Sequence, residues 1–215
     1  MTYLDLVNQV LIRLREPEVD GISVGVMGPL IAAFVSDAYK IVEDAHDWSV
    51  LRSQETVDTV PSQPTVTLSG VPVDSMVYSA YIQGTDFLHK VSKEWMIRRD
   101  SLGNTSNTQP TRYRIASASQ TTGDLEVELF PVPDAVYPIS FNVAKRGTAP
   151  VDNADRVILP IEPIRALALA MATRERGETG GTSAAEYFQI ADLTLGQAIA
   201  RDANFRPDEI TLYTP

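Results

Sequence analysis

The hydrophobic pattern has a helical period at both ends of the chain and an alternating period in the middle. Residues 2–15 place Tyr3, Leu6, Val7, Val10, Leu11 and Leu14 at the i, i+3, i+4, i+7 spacing of one helix face, with Thr2 as N-cap. Glu16-Pro17 stops this helix. The loop at 20–28 carries three glycines, and its valines and Ile22 are expected to tuck under the helices. Gly28-Pro29 starts a second helix, whose stripe of Leu30, Ile31, Phe34, Val35, Ala38, Ile41, Val42 and Ala45 runs to about His46. Trp48 follows as a hinge plug.

From Ser49 the pattern alternates for about a hundred residues, which predicts a β domain. Candidate strands are 55–60, 65–68, 75–82, 86–90, 111–116, 125–130 and 137–144, joined by Gly, Pro, Asn or Asp. Two elements interrupt them. SKEWMIRRD at 92–100 suits a short helix capped by Ser92, and SLGNTSNTQP at 101–110 reads as an exposed loop.

After a linker at 147–155, LPIEPIRALALAMAT at 159–173 has almost no polar face beyond Arg165. A helix that is apolar all round sits inside a core, so this is the expected central helix. Pro160 and Pro163 fall at or before its first turn, where a missing N–H costs nothing, and Gly177 terminates it. After a turn at 178–182, Ser183 and Glu186 form a capping box for a last helix. Phe188, Ala191, Leu195 and Ile199 line one face of it, and Gly196 is expected to allow close packing on another helix.

The expected fold class is therefore α+β: a helical domain formed by both chain ends (1–48 plus 156–203), with an inserted antiparallel β domain (49–155) and an extended C-terminal tail (204–215). That tail follows neither period, yet it holds Phe205, Ile210, Leu212 and Tyr213. These four are the candidate partner-binding residues. The tail is expected to be unpaired in the free monomer and to order against a partner or a neighbouring subunit as an added strand or extended clamp.

Composition narrows the function. No apolar run approaches the roughly 18 residues of a membrane span, and Asp5 stands where a signal peptide would carry basic charge, so a cytosolic protein with no membrane partner is expected. With no cysteine, disulfides, thiolate nucleophiles and cysteine metal sites are excluded. The net charge of −10 argues against tight nucleic-acid binding, but an acidic wall suits a passage through which DNA slides without sticking.

Catalytic candidates are few. Gly21-Ile22-Ser23-Val24-Gly25 matches G-x-S-x-G but lies between two helices, without the preceding strand that a nucleophile elbow requires, so Ser23 reads as a loop residue. His46 and His89 have no second histidine at ligand spacing and read as structural or surface histidines. The glycine-rich 177–181 lacks the Lys of a phosphate loop. Glu126 and Glu128 share a strand face, best read as the solvated face of a sheet rather than a glycosidase pair. Arg98, Arg99, Arg112 and Arg114 form the one basic concentration, read as a solvated or subunit-pairing surface in preference to a nucleic-acid contact. No catalytic residue, cofactor or metal is expected.

Five stretches in order carry a resemblance: REPEV after the first helix, HDWSVLR after the second, QPTRYRI and LFPVPDAVYPISFNV in the β region, and VILPIEPIRALALAMA in the central helix. Together the chain resembles the head-to-tail adaptor proteins of tailed bacteriophages, in particular the tail tubular protein A type of short-tailed phages. The likeness covers roughly Tyr3 to Ala203, and the segment NFRPDEITLYTP stands outside it. It implies a structural virion protein, made in the host cytoplasm and not an enzyme. Such a protein would form a homo-oligomeric ring of twelve that joins the portal to the downstream tail (nozzle) protein and extends the channel for passing double-stranded DNA. The alternative is a tail-associated cell-wall hydrolase using carboxylates, which the lack of a convergent acid pair with a histidine or metal partner disfavours.

Overall fold

The computed structural model describes residues 1–85, 87–101, 107–147, 149–176 and 182–204. The expected turn at 178–182 lies outside them up to its last residue, as do residues 102–106 of the loop at 101–110, the Ser183 side chain and all four tail residues Phe205, Ile210, Leu212 and Tyr213. The described chain is α+β, with five helices and a seven-stranded mixed sheet. It divides into two compact units, one formed by Leu51–Gly147 and the other by Met1–Val50 with the described residues after Gly147.

The second of these units holds α1 (Tyr3–Arg13), α2 (Met27–Ala45), α4 (Ile161–Glu175) and α5 (Thr182–Ala203). Its centre is α4, which packs against α1, α2 and α5. No residue from Pro163 to Thr173 is exposed, and Ile164, Ala168 and Ala170 are wholly buried, as its all-round apolar sequence requires. The alanines leave room for three neighbours at close range. α1 starts at a capping box: the Asp5 N–H donates to Thr2 Oγ1 (3.2 Å) and the Thr2 N–H to Asp5 Oδ2 (3.0 Å). The Tyr3 hydroxyl then donates to the Ala32 carbonyl at 2.6 Å, fixing α1 on α2.

Trp48 is buried and its Nε1–H donates to the Val42 carbonyl at 2.7 Å, so it folds back on the end of α2. Beside it, Asp202 of α5 accepts from the Ser49 hydroxyl (2.5 Å) and N–H (3.1 Å), and His46 Nε2 lies 3.2 Å from its Oδ2. Burial alone would raise the Asp202 pKa, but these hydrogen bonds outweigh it and hold the carboxyl below the ordinary 3.8. The segment expected as a free linker is tied down: the Tyr3 N–H donates to the Asp155 carbonyl (2.8 Å) and the Ile22 N–H to Asn153 Oδ1 (3.0 Å).

Two expectations for this unit are corrected. The valines of the loop at 20–28 do not tuck in, for Val24 and Val26 are 52% and 90% exposed; Gly21 and Gly28 are the buried residues there, Gly21 beside the Asn153 amide. Nor does Gly196 permit close packing within the chain, since nothing lies within 4 Å of the place a Cβ would take.

The Leu51–Gly147 unit holds β1 (Arg52–Asp58), β2 (Thr65–Pro72), β3 (Met76–Ile82), β4 (Phe87–Lys90), α3 (Lys93–Ser101), β5 (Arg112–Ala118), β6 (Asp124–Phe130) and β7 (Pro138–Ala144). Strand order is β1-β7-β3-β4-β5-β6-β2. The expected antiparallel sheet is in fact mixed, because β4 and β5 pair in parallel. The physical reason is the connection: residues 91–111, which include α3, are long enough for the crossover that a parallel pair needs, whereas a tight turn would have forced an antiparallel one. The sheet curls over its own apolar face. Tyr113 of β5 meets Phe141 of β7 edge-on at 6.0 Å, although two strands lie between them in the sheet, and Leu68, Leu125, Val127 and Leu129 fill the same core.

Two substitutions test these assignments. Gly196→Ala removes the entropy cost of glycine in a helix without meeting a neighbour and should stabilise the free chain by about 0.5–1 kcal/mol; a lower melting temperature would show hidden crowding. Asp202→Asn should cost about 1–2 kcal/mol at pH 7 by weakening charge-assisted hydrogen bonds. Because the native pKa is depressed, the wild-type advantage is full above the ordinary value of 3.8 and is lost as pH falls through the lowered one. Denaturant titrations of both proteins from pH 7 to pH 2 should therefore converge in acid, and parallel curves would refute the assignment.

Candidate functional site

The sequence candidates for chemistry are placed apart. Ser23 is exposed in the loop before α2, with no strand ahead of it. His46 serves the Asp202 clasp, and although Ser49, His46 and Asp202 form a cluster, both Ser49 and His46 bind the carboxylate, so no imidazole stands ready to take a serine proton. His89 is exposed on β4. Glu126 and Glu128 do share the outer face of β6, where Glu126 accepts from the Ser117 hydroxyl (2.9 Å) and Glu128 pairs with Arg114 across the strands. Among the described residues no group of three or more His, Asp or Glu is placed to hold a metal ion, and no helix is long and apolar enough to cross a membrane.

The basic concentration is brought together in part. Trp95 of α3 stands edge-on to Phe130 at 5.4 Å, and the guanidinium groups of Arg99 and Arg112 lie 5.4 and 4.5 Å from the centre of its ring. These cations rest on an aromatic face and Arg114 on a carboxylate, so the cluster fastens α3 to the sheet.

A different feature emerges in the helical unit, where the C-terminal turn of α1 meets α4 and α5. Three adjoining hollows of about 360, 170 and 470 Å³ form one groove. The first two share Arg13, Leu169 and Tyr187, and the second and third share Glu162 and Thr194. Ala166, Leu169 and Ile190 give it an apolar floor. Its rim is cationic: Arg13, Arg15, Arg165, Arg176 and, at the far end, Arg201, opposed by Glu16 and Glu162.

Local backbone chemistry places these arginines. α1 ends in a Schellman turn, with the Glu16 N–H on the Leu11 carbonyl (3.0 Å) and the Arg15 N–H on the Ile12 carbonyl (3.0 Å). The turn puts Arg15 at φ 59°, a left-handed position that favours glycine. Arg176 donates to the Leu14 carbonyl (3.0 Å) and pairs with Glu16, charging the end of the α1 dipole. Arg165 bridges Gln9 and Glu162. The Arg15 side chain has no hydrogen-bond or ion-pair partner among the described residues, so a costly backbone position carries a guanidinium at the groove.

The sequence reading missed this groove because its arginines come from stretches far apart in the chain, Arg13 and Arg15 at the end of α1 and Arg165, Arg176 and Arg201 from α4 onward. One signal was available. Tyr187, Ile190 and Leu193 lie off the α5 stripe of Phe188, Ala191, Leu195 and Ile199, and they are 37%, 50% and 63% exposed, which gives α5 a second apolar face.

No curated protein matches the chain. The family model described as SU10 adaptor protein matches residues 1–210, nearly the whole sequence. The chain belongs to the SU10 adaptor protein family, a family of phage head-to-tail adaptors.

Proposed function

We propose that the protein is a structural component of a phage virion that assembles into a ring between the portal and the tail and continues the channel through which DNA passes. The observation that carries this reading is the family match over residues 1–210. The resemblance noted in the sequence adds a ring of twelve, with the portal on one side and the tail nozzle on the other. Leu51–Gly147 is then an insertion into a helical domain that the two ends of the chain build around α4. The charge of −10 supports a bore that repels phosphate, an effect screened over about 8 Å at physiological salt and so felt where walls and DNA are close. Phe205, Ile210, Leu212 and Tyr213 are proposed as partner-binding residues of the assembled ring.

Adaptors work through surfaces, and the loop before α2 offers one. Val24 and Val26 expose apolar side chains on a loop whose base is fixed to Asn153, an arrangement that makes sense where a partner covers it.

Mixing the purified protein with its portal should give rings visible in negative stain, and persistent monomers would overturn the reading. Val26→Glu should leave monomer stability within about 0.5 kcal/mol, since the side chain touches little in the free chain, while lowering the yield of rings. The protein alone should not shift duplex DNA in a gel at ordinary salt, and micromolar binding would exclude a repelling bore.

A further inference from the structure

We propose that the outer face of β1, β7 and β3 carries a binding site for an acidic saccharide, a pyranose that bears a carboxylate. The proposal goes beyond the adaptor reading and does not depend on it.

The site is a recess of about 400 Å³ in the Leu51–Gly147 unit, lined by Arg52 and Gln54 of β1, Tyr78 and Ser79 of β3 and Asn142 of β7. Hollows of that size suit small ligands. Register explains how these side chains meet: Asn142 stands opposite Gln54 on one neighbouring strand and opposite Ser79 on the other. Strict alternation would turn Tyr78 away from Ser79. A bulge between Val77 and Ser79 removes that alternation, so that Val77, Ala80 and Ile82 all enter the core while Tyr78 and Ser79 both line the recess. An irregularity in the ladder thus assembles the site, and the ring it brings there remains 39% exposed.

The chemistry of the lining selects the ligand. Gln54 Nε2 donates to the Tyr81 hydroxyl at 2.7 Å, and Asn142 Nδ2 donates to Ser79 Oγ at 2.8 Å. Each bond fixes its amide, which still has a second N–H and a carbonyl oxygen to offer, the donor and acceptor that adjacent sugar hydroxyls match. The Tyr78 ring suits the C–H face of a pyranose, and the Arg52 guanidinium lies 4.8 Å from its centre. A stacked guanidinium presents its planar edge to a carboxylate.

Charge points the same way. Among the described lining residues Arg52 is the one charged group, in a chain of net charge −10, and Glu55 takes the alternate position on β1, where it pairs with Lys145 at 2.8 Å. A single cation favours an anion, and neutral amides and hydroxyls favour a polyol. Other small ligands are served less well, because a phosphate dianion would meet one guanidinium and an apolar ligand would meet Val143 as the one aliphatic side chain among the described lining residues. Beside the recess the face continues through the Thr56–Ser140 hydroxyl pair (2.9 Å) to Tyr81 and the exposed Phe87, which meet edge-on at 5.8 Å. From β1 to β4 this covers about 14 Å, room for more than one sugar ring.

The full-length protein, titrated with trigalacturonate and followed by saturation-transfer NMR, should bind it saturably. Maltotriose, which has no carboxylate, and adenosine monophosphate should bind about tenfold more weakly or worse. Asn142→Ala and Tyr78→Ala should each weaken trigalacturonate binding about fivefold or more. Arg52→Gln should abolish the preference for trigalacturonate over maltotriose, a change of selectivity that unfolding would not give, whereas Glu126→Gln on the outer face of β6 should change nothing. No binding at millimolar trigalacturonate overturns the proposal. So does tighter binding of adenosine monophosphate, equal binding of maltotriose, or a preference that survives Arg52→Gln. None of these measurements involves portal or ring formation, so their failure leaves the adaptor reading standing, and a protein that forms no rings but binds trigalacturonate in this way leaves the saccharide site standing.

Discussion

The structure of the helical unit depends on one constraint, which is that α4 has an almost wholly apolar surface with no fully exposed residue between Pro163 and Thr173. Such a helix must be enclosed, and the neighbours that enclose it come from both ends of the sequence, α1 and α2 before the sheet and α5 after it. Its alanines set how closely those neighbours approach. Its partly buried side chains, Ala166 and Leu169, remain within reach of the surface and become the floor of the groove. The same helix therefore holds the unit together and furnishes its most developed recess.

Polar side chains in this protein work mainly as fasteners. Asp202 joins α5 to the residues after α2, Asn153 holds the base of the loop before α2, and Arg99 and Arg112 clasp Trp95 against the sheet. Arg15 differs, since it occupies a backbone conformation that glycine would adopt at less cost and its guanidinium has no partner among the described residues. Local strain combined with an open cation is what a surface selected for binding would retain, and it fits membership in an adaptor family.

The sheet shows how loop length decides topology. Seven strands were legible from alternation, and each lies within a few residues of its expected place. Alternation is a property of one strand, however, and says nothing of which strand lies beside it. The parallel β4–β5 pair and the meeting of Tyr113 with Phe141 follow from the length of the 91–111 connection and the curl of the sheet, both of them relations between distant residues.

By itself the sequence determined what depends on neighbours along the chain: the period of each segment, the capping box at Thr2 and Asp5, the buried character of α4, and the order of motifs that marks an adaptor. It also suggested that the valines near Gly25 and the helix face at Gly196 would be covered, and within the single chain they are not. Hydrophobicity states that a side chain gains by leaving water but not what will cover it. Only the tertiary structure decided that Arg13, Arg15, Arg165 and Arg176, drawn from positions about 160 residues apart, surround one groove, because charge adds up by distance in space and the sequence records only distance along the chain.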